Sequence, residues 1–557
     1  MYDPYNGLYN RAQLGRIRGY IGQELKRSLK ELNKPGRPRT YYLGYLFRNH
    51  RTEKIFGRLG GIGEHTVRSQ NTLFCDLRVG SYRYDNVMSG GLGDNSEKAE
   101  AVDYIYMPAE LNEDSFKFAM WKLTDARFRE AAEQYFEKKS RAVHFVDENR
   151  NLASRAKQPG AVDVRVRNFK PVDSARWKQI LRKAGQIARG QAAIKNSYFE
   201  LVIQHRQQLL VNSEGSEVLH QQTILELRGY LWMLNKRGEG ISQEINIVTG
   251  DPDDLPSEKE FLRLVRERVE LLLALDKAEQ LSSYSGPVLL EAQAAGLFFH
   301  EVIGHRLEGS RLLSSDDGGT FRDMRGKRIG PDFVNIEDDP TIQKWGGRHL
   351  IGHFRHDDDG CAARRAVLVQ EGVLKGFLTG ASPIPGQREL NGHARNQLFE
   401  RPISRMGNLV VKSSQPVSRE ELREAFLEEI RRQGKEYGIC VKECVGGETD
   451  TGTYDFQAFK GEILVATRVF ADGREEPIRG VDFVGTPLSA LEAVVCMADD
   501  FQVDNSFCGA ESGIVPVSTI APSMLVRSLE LQGRDRERLT QYALPLPYGA
   551  SKNKKKK

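Results

Sequence analysis

Two histidines with a glutamate beside the first are the minimum equipment for metal-assisted hydrolysis, and the stretch FFHEVIGHRLEG supplies them in His300, Glu301 and His305. Two neutral imidazoles and a third protein ligand leave one position of a tetrahedral zinc for water, whose pKa the metal lowers toward neutrality. Glu301 is then the candidate catalytic base, accepting that water's proton as it attacks a carbonyl. The common spacing for such a pair is H-E-x-x-H, with histidines about 40° apart around a helix of about 3.6 residues per turn. Here the string is H-E-x-x-x-H, which on a regular helix sets the rings about 140° apart, too divergent for one small ion. A π-type widening or local distortion is therefore predicted, with Gly304 as the residue that most easily allows it. Spacing alone leaves the plain alternative open, that of two core histidines and a surface glutamate.

A second set of chemical residues lies in HLIGHFRHDDDG, where His349, His353 and His356 repeat at helical spacing ahead of Asp357, Asp358 and Asp359. Gly352 weakens a helix there and Gly360 closes a turn, so a strand and loop are expected rather than a metal-binding face. Six cysteines, Cys75, Cys361, Cys440, Cys444, Cys496 and Cys508, are spread too widely for a disulfide framework and read as reduced, mostly buried thiols. Cys440 and Cys444 have a chelating spacing but no second pair nearby.

The elements that must position these groups differ between the two halves. In the first, Leu14 to Leu32 reads as an amphipathic helix, Tyr41 to Leu46 as a strand, Arg78 to Tyr84 as an alternating strand, and Ser115 to Ala142 and Ser174 to Ile194 as helices. A strand pair turns at Glu214 and Gly215, and a charged helix over Ser257 to Gln280 leads to a polar break, LSSYSGP. Beyond it, a short buried strand, Val288 to Leu290, precedes a largely apolar helix, Ala292 to Leu307, that carries the candidate ligands. Hairpins with Glu371 and Gly372, and with Asp472 and Gly473, at their turns then dominate, interrupted by a helix near Ser418 to Gln433. The fold class is α+β, a mixed α/β N-terminal half followed by a β-rich catalytic domain with one metal-binding helix. The expected division is 1–280, 286–535 and a lysine-rich, disordered tail over 536–557.

A chain of 557 residues with 39% hydrophobic and 28% charged residues can bury more than one core and matches neither disordered nor membrane classes. The N-terminus lacks an apolar signal region and no run approaches the roughly 18 apolar residues of a membrane span, so a cytoplasmic location is the default expectation. The formal net charge of +5 is carried by the five lysines of the tail, Lys552 and Lys554 to Lys557, leaving a neutral body. A nucleic-acid partner, which calls for a basic face, is not expected.

Several separated segments of the second half, in order, resemble the TldD/PmbA family of zinc peptidases. VLLEAQAAGLFFHEVIGHRLEG is similar to its metal-binding helix, DDDGCAARRAVLVQEGVLKGFL to its acidic turn and hairpin, RPISRMGNLVV to its later Arg-Met strand, and DNSFCGAESGIVPVSTIAPSMLV to the C-terminal segment whose cysteine completes the metal site. The resemblance covers about Pro287 to Gly533 and implies that Cys508 is the third ligand beside His300 and His305, with zinc as cofactor. Completeness of this set implies the catalytic type of subunit rather than the sister subunit that lacks the ligands. The sequence departs from the family at Ser310, where many members carry aspartate. The resemblance also implies action on unfolded peptides, inside a homodimer or a heterodimer with a non-catalytic sister. The alternative is a non-catalytic or regulatory binding subunit with a structural zinc, distinguished by whether three or four protein ligands hold the metal.

Overall fold

The computed structural model describes the chain apart from residues 1–6, 88–103, 145–148, 150, 315–316, 318, 399, 453–456, 535–537, 543 and 545–557; the lysine tail lies outside the described residues. The first half is organised by a seven-stranded sheet. Thr40–Arg58 lies at its centre, between Gly61–Val79 and Ile194–Asn212, and Glu217–Leu234 continues the sheet to Gly240–Thr249. Alternation of buried and partly exposed residues along Ile194–Asn212 and Glu217–Leu234 is that of a strand with one covered face. Their connection turns over Ser213–Ser216, with Gly215 at φ +91°, where a side chain would be strained. Helix Arg11–Leu32 begins with a capping box between Asn10 and Gln13, and helix Glu258–Leu275 with one between Ser257 and Glu260. Both bury one apolar stripe against the sheet.

Strands of the second half form two further sheets. In the six-stranded one the order runs Val373–Leu374, Ala366–Gln370, Val334–Asp338, Asn408–Ser413, Gly513–Ala521, Gln502–Ala510, so that the last is an edge strand. In the eight-stranded one, Ser283–Leu290 lies between Tyr437–Thr449, to which it is parallel, and Met524–Gly533. Helix Ala292–Phe299 follows Ser283–Leu290 and is apolar apart from Gln293 because it packs against strands of both sheets. Phe298, Phe299, Val302 and Ile303 are fully buried in the largest apolar cluster of the molecule. At about 1.5–3 kcal/mol for each such side chain, this burial holds the chemical residues in place.

Both predicted hairpin turns form, with Glu371 and Gly372 at φ +50° and +71° and Gly473 at +89°. Three expectations are corrected. Arg78–Tyr84 is the end of strand Gly61–Val79 followed by a turn, which Ser81 and Tyr84 close through their backbones. The charged helix expected to run to Gln280 ends at Leu275, and Glu279–Gln280 pair as a short strand with Ile478 and Arg479. Helix Ser174–Arg189 stops five residues before Ile194, because Gly190 ends it and Ile194 opens the next strand. No helix of the described residues is long and apolar enough to cross a membrane.

Candidate metal centre

The α-helix ends at Phe299, and His300–Gly304 continue it as a π turn, followed by a 3-10 turn over His305–Leu307. His305 N–H donates to the His300 carbonyl, the bond that defines the wider turn. Widening brings residues five apart onto one face, and the two rings meet nearly edge to face with centroids 5.0 Å apart. The distortion required by the spacing is thus present. Gly304 sits within it, its α-carbon so near Met406 that a β-carbon would lie 2.3 Å from the sulfur. Arg306 fastens the turn by donating to the Glu301 carbonyl at 2.9 Å and to the carbonyls of Asp450 and Gln457 at 2.8 Å.

Cys508 arrives from the edge strand Gln502–Ala510, some two hundred residues later in the chain. One donor atom each from His300, His305 and Cys508 lie within 4.8 Å of one another, all three residues are buried, and this is the one such group of donors found among the described residues. Burial alone would push the Cys508 thiol up, but His305, His300 and Arg405 outweigh it and hold the thiol well below its ordinary value. Arg405 Nη2 donates to Cys508 Sγ at 3.2 Å and to the Cys508 carbonyl at 2.7 Å. The field therefore favours thiolate, the form that binds a metal. His305 presents Nε2 to the sulfur at 3.3 Å and Nδ1 to Glu308 Oε2, also at 3.3 Å. Glu308 fixes the ring orientation and the tautomer with Nε2 free to ligate. Burial would raise the Glu308 carboxyl, yet His305, Arg405 and Arg311 hold it down at about 2.

Glu301 is 4% exposed, and its Oε2 has no hydrogen-bond partner among the described residues. A buried oxygen of this kind is costly unless a ligand or water meets it. Burial lifts the Glu301 carboxyl above its ordinary range, with His300 and His305 opposing. The donor set and the orphaned carboxylate together fit a zinc ion with three protein ligands. All four residues line a cavity of about 960 Å³, whose other walls come from strands Glu217–Leu234 and Gly240–Thr249 and helix Glu258–Leu275 of the first half.

The second histidine set is not brought together as a site. His349 bonds Asp254 at 2.8 Å, His353 lies 2.7 Å from the Pro340 carbonyl, and His356 bridges to Ala362. Asp357 and Asp359 bind backbone N–H groups of Cys361, Ala394 and Ala381, so the acidic turn is a structural knot. Cys440 and Cys444 are buried in separate apolar clusters, because register shifts after Val441 turn them to different faces. Ser310 exchanges hydrogen bonds with Ser404 through both backbones and both hydroxyls, 2.7 to 2.9 Å. Sequence reading assigned no role to Glu308, Arg311, Arg405 or Gly447. Gly447 had a signal, since paired glycines inside a strand mark a close approach, here that of Glu301.

Comparison with known proteins relates the second half of the chain to metallopeptidases. Residues 283–533 match the family described as the PmbA/TldA metallopeptidase C-terminal domain. By this match residues 283–533 of the chain belong to the TldD/PmbA family. It is 30% identical over 251 residues to a protein named zinc metalloprotease TldD homolog of Saccharolobus solfataricus, a match covering 44% of this chain and 51% of that protein. It is 32% identical over 265 residues to a metalloprotease of Archaeoglobus fulgidus, covering 47% and 56%. The matched part thus spans about half the length of these curated relatives. The crystal structure of TldE from Thermococcus kodakarensis shares the fold, with a TM-score of 0.57 at 15% identity over 92% of this chain and 100% of that one.

Proposed function

We propose that this chain is a zinc-dependent metallopeptidase acting on unfolded or extended peptides, with His300, His305 and Cys508 as metal ligands and Glu301 as general base. The observation that carries the reading is the convergence of three buried donors beside the unpartnered Glu301 oxygen, on the wall of a large cavity. Bound zinc supplies Lewis acidity, polarising a carbonyl and acidifying water. Glu301 takes the proton of the attacking water and returns it to the leaving amine, a role suited to a carboxyl raised by burial. Arg405 keeps Cys508 ionised, and Glu308 keeps the Nδ1 proton of His305 in place. Strand Gln502–Ala510 is a sheet edge along the cavity, so its unpaired backbone groups suit an extended peptide. The first half serves to enclose that peptide, since its strands and helix Glu258–Leu275 make the opposite wall.

Zinc per chain is measured for the wild type, Cys508→Ser and Glu301→Gln, and hydrolysis of an unstructured peptide is followed on the same samples with and without chelator. One zinc per chain, weakened by Cys508→Ser and retained by Glu301→Gln, is expected. Turnover should stop with chelator and fall about 10²–10⁴-fold in Glu301→Gln. Zinc without hydrolysis in the wild type would leave the binding-subunit reading. Assembly as a homodimer or with a non-catalytic sister is part of the same proposal. The exposed aromatic pair Phe118 and Trp121 on helix Glu113–His144 is a surface suited to it.

A further inference from the structure

Nine carboxylates line the cavity of the candidate metal centre, against four Lys or Arg side chains. Each of the four cations is already neutralised. Arg228 pairs with Glu226 and Arg268 with Glu443, while Arg311 meets Glu511 at 2.9 Å and Lys442 meets Glu475 at 3.1 Å. Besides Glu301 at the centre itself, two lining carboxylates, Glu244 and Asp504, are different: among the described residues neither has a Lys or Arg within ion-pair distance. Glu244 is half-buried on strand Gly240–Thr249, and Arg228 acts on it only from beyond contact. Asp504 is half-buried on strand Gln502–Ala510, where its hydrogen-bond neighbour is the neutral Gln293. Burial lifts both carboxyls above their ordinary range, with Arg228 opposing at Glu244 and His300 at Asp504, so a cation brought to either would favour its ionised form.

The centre does not cancel this excess. A divalent ion held by one thiolate, with the Glu301 carboxylate beside it, sums to about zero, which leaves the outer carboxylates to set the field. The same cavity contains the unpartnered Oε2 of Glu301, an independent sign that a ligand reaches its inner end. Asp504 and Cys508 share a face of one strand, about 13 Å apart along it, within a few residues' reach of any bond cleaved at the centre.

We propose that the cleft selects its peptides by positive charge, Asp504 and Glu244 receiving Lys or Arg side chains that flank the segment held at the centre. A cation there gains two counter-ions that no described Lys or Arg already pairs, whereas an acidic peptide meets like charge in a partly desolvated cleft. The inference rests on the peptidase reading for the identity of the ligand.

Three labelled peptides of one unstructured sequence, with Lys, Gln or Glu at the same alternating positions, are titrated by fluorescence anisotropy into zinc-loaded Glu301→Gln protein. Wild-type hydrolysis of the same peptides is measured in parallel. The Lys peptide should bind about ten-fold more tightly than the Glu peptide at about 0.01 M salt, and the ratio should approach one near about 1 M. The double variant Glu244→Gln with Asp504→Asn should lose most of that ratio; where it fails to fold, the salt series decides. Equal binding of all three peptides, or tighter binding of the Glu peptide, overturns the inference. Equal binding with hydrolysis leaves the peptidase standing, charge-dependent binding without hydrolysis removes the peptidase and keeps the selection, and absence of binding by all three overturns both.

Discussion

Glu308 stands three residues after His305 and joins the ring to two guanidiniums, accepting from Arg405 Nε at 3.2 Å and from Arg311 Nη2 at 3.0 Å. It is 1% exposed, so these contacts are made out of water and act on the imidazole at nearly full strength. Through Arg405 the same carboxylate is linked to the Cys508 sulfur, and one residue thereby orients two of the three ligands. Glu308→Gln removes the charge and keeps the shape. Zinc affinity, measured by competition with a coloured chelator, should fall about 10–100-fold. The thermal midpoint should fall as well, because two buried arginines lose a counter-charge.

The π turn over His300–Gly304 converts a spacing that no regular helix could use into a chelating pair. It persists because its neighbours determine it: Phe298 and Phe299 anchor one end in the core, while Arg306 and Arg311 tie the other to surrounding carbonyls and carboxylates. Strand Tyr437–Thr449 closes over the turn at Gly447. A β-carbon there would lie 2.7 Å from Glu301 Cγ and 2.9 Å from the Lys460 carbonyl oxygen, whereas one on Gly446 would meet nothing within 4 Å. Gly447→Ala should therefore keep zinc, cost about 1–3 kcal/mol of stability and lower kcat by displacing the Glu301 carboxylate. Gly446→Ala, on the same strand, should do neither. Metal analysis, thermal melting and steady-state kinetics on the pair check this.

At the scale of the molecule, the two halves are joined by a buried ionic knot that lies apart from the candidate metal centre. Arg155 is fully buried, bonds Asp359 at 2.8 Å and Glu214 at 3.3 Å, and lies 4.0 Å over the Tyr42 ring. Glu214 belongs to the hairpin turn of the first half and Asp359 to the acidic turn of the second, so one guanidinium spans both. Asn505 adds a bond to the Val248 carbonyl at 3.1 Å, and Gln243 one to the Leu464 carbonyl at 3.3 Å. The cavity depends on this junction, because its walls come from both halves. Arg155→Met leaves Asp359 and Glu214 buried without their cation and should cost about 3–5 kcal/mol, seen as a lower midpoint in calorimetry. Zinc content at low temperature should be unchanged.

Local chemistry was legible in the sequence wherever it depends on neighbours along the chain. The glycine turns at Gly215, Gly372 and Gly473 and the apolar helix bearing His300 and His305 are of this kind, since turn and helix signals act within a few residues. The five-residue spacing even required a distorted turn, because 3.6 residues per turn cannot bring those rings together. Strand ends were less legible: alternation does not reveal where a partner strand stops, and Arg78–Tyr84 was placed beyond its true end. What only the tertiary structure decided is the meeting of groups far apart in sequence. Cys508 joins the histidines because its strand is the edge of a sheet packed on their helix, and Glu301 faces solvent-accessible space because strands of the first half stand back from it. His349, His353 and His356, equally suggestive as a string, are separated because the first two rings turn to different partners, Asp254 and the Pro340 carbonyl, while His356 is held by a backbone bridge to Ala362, and no local pattern encodes that choice.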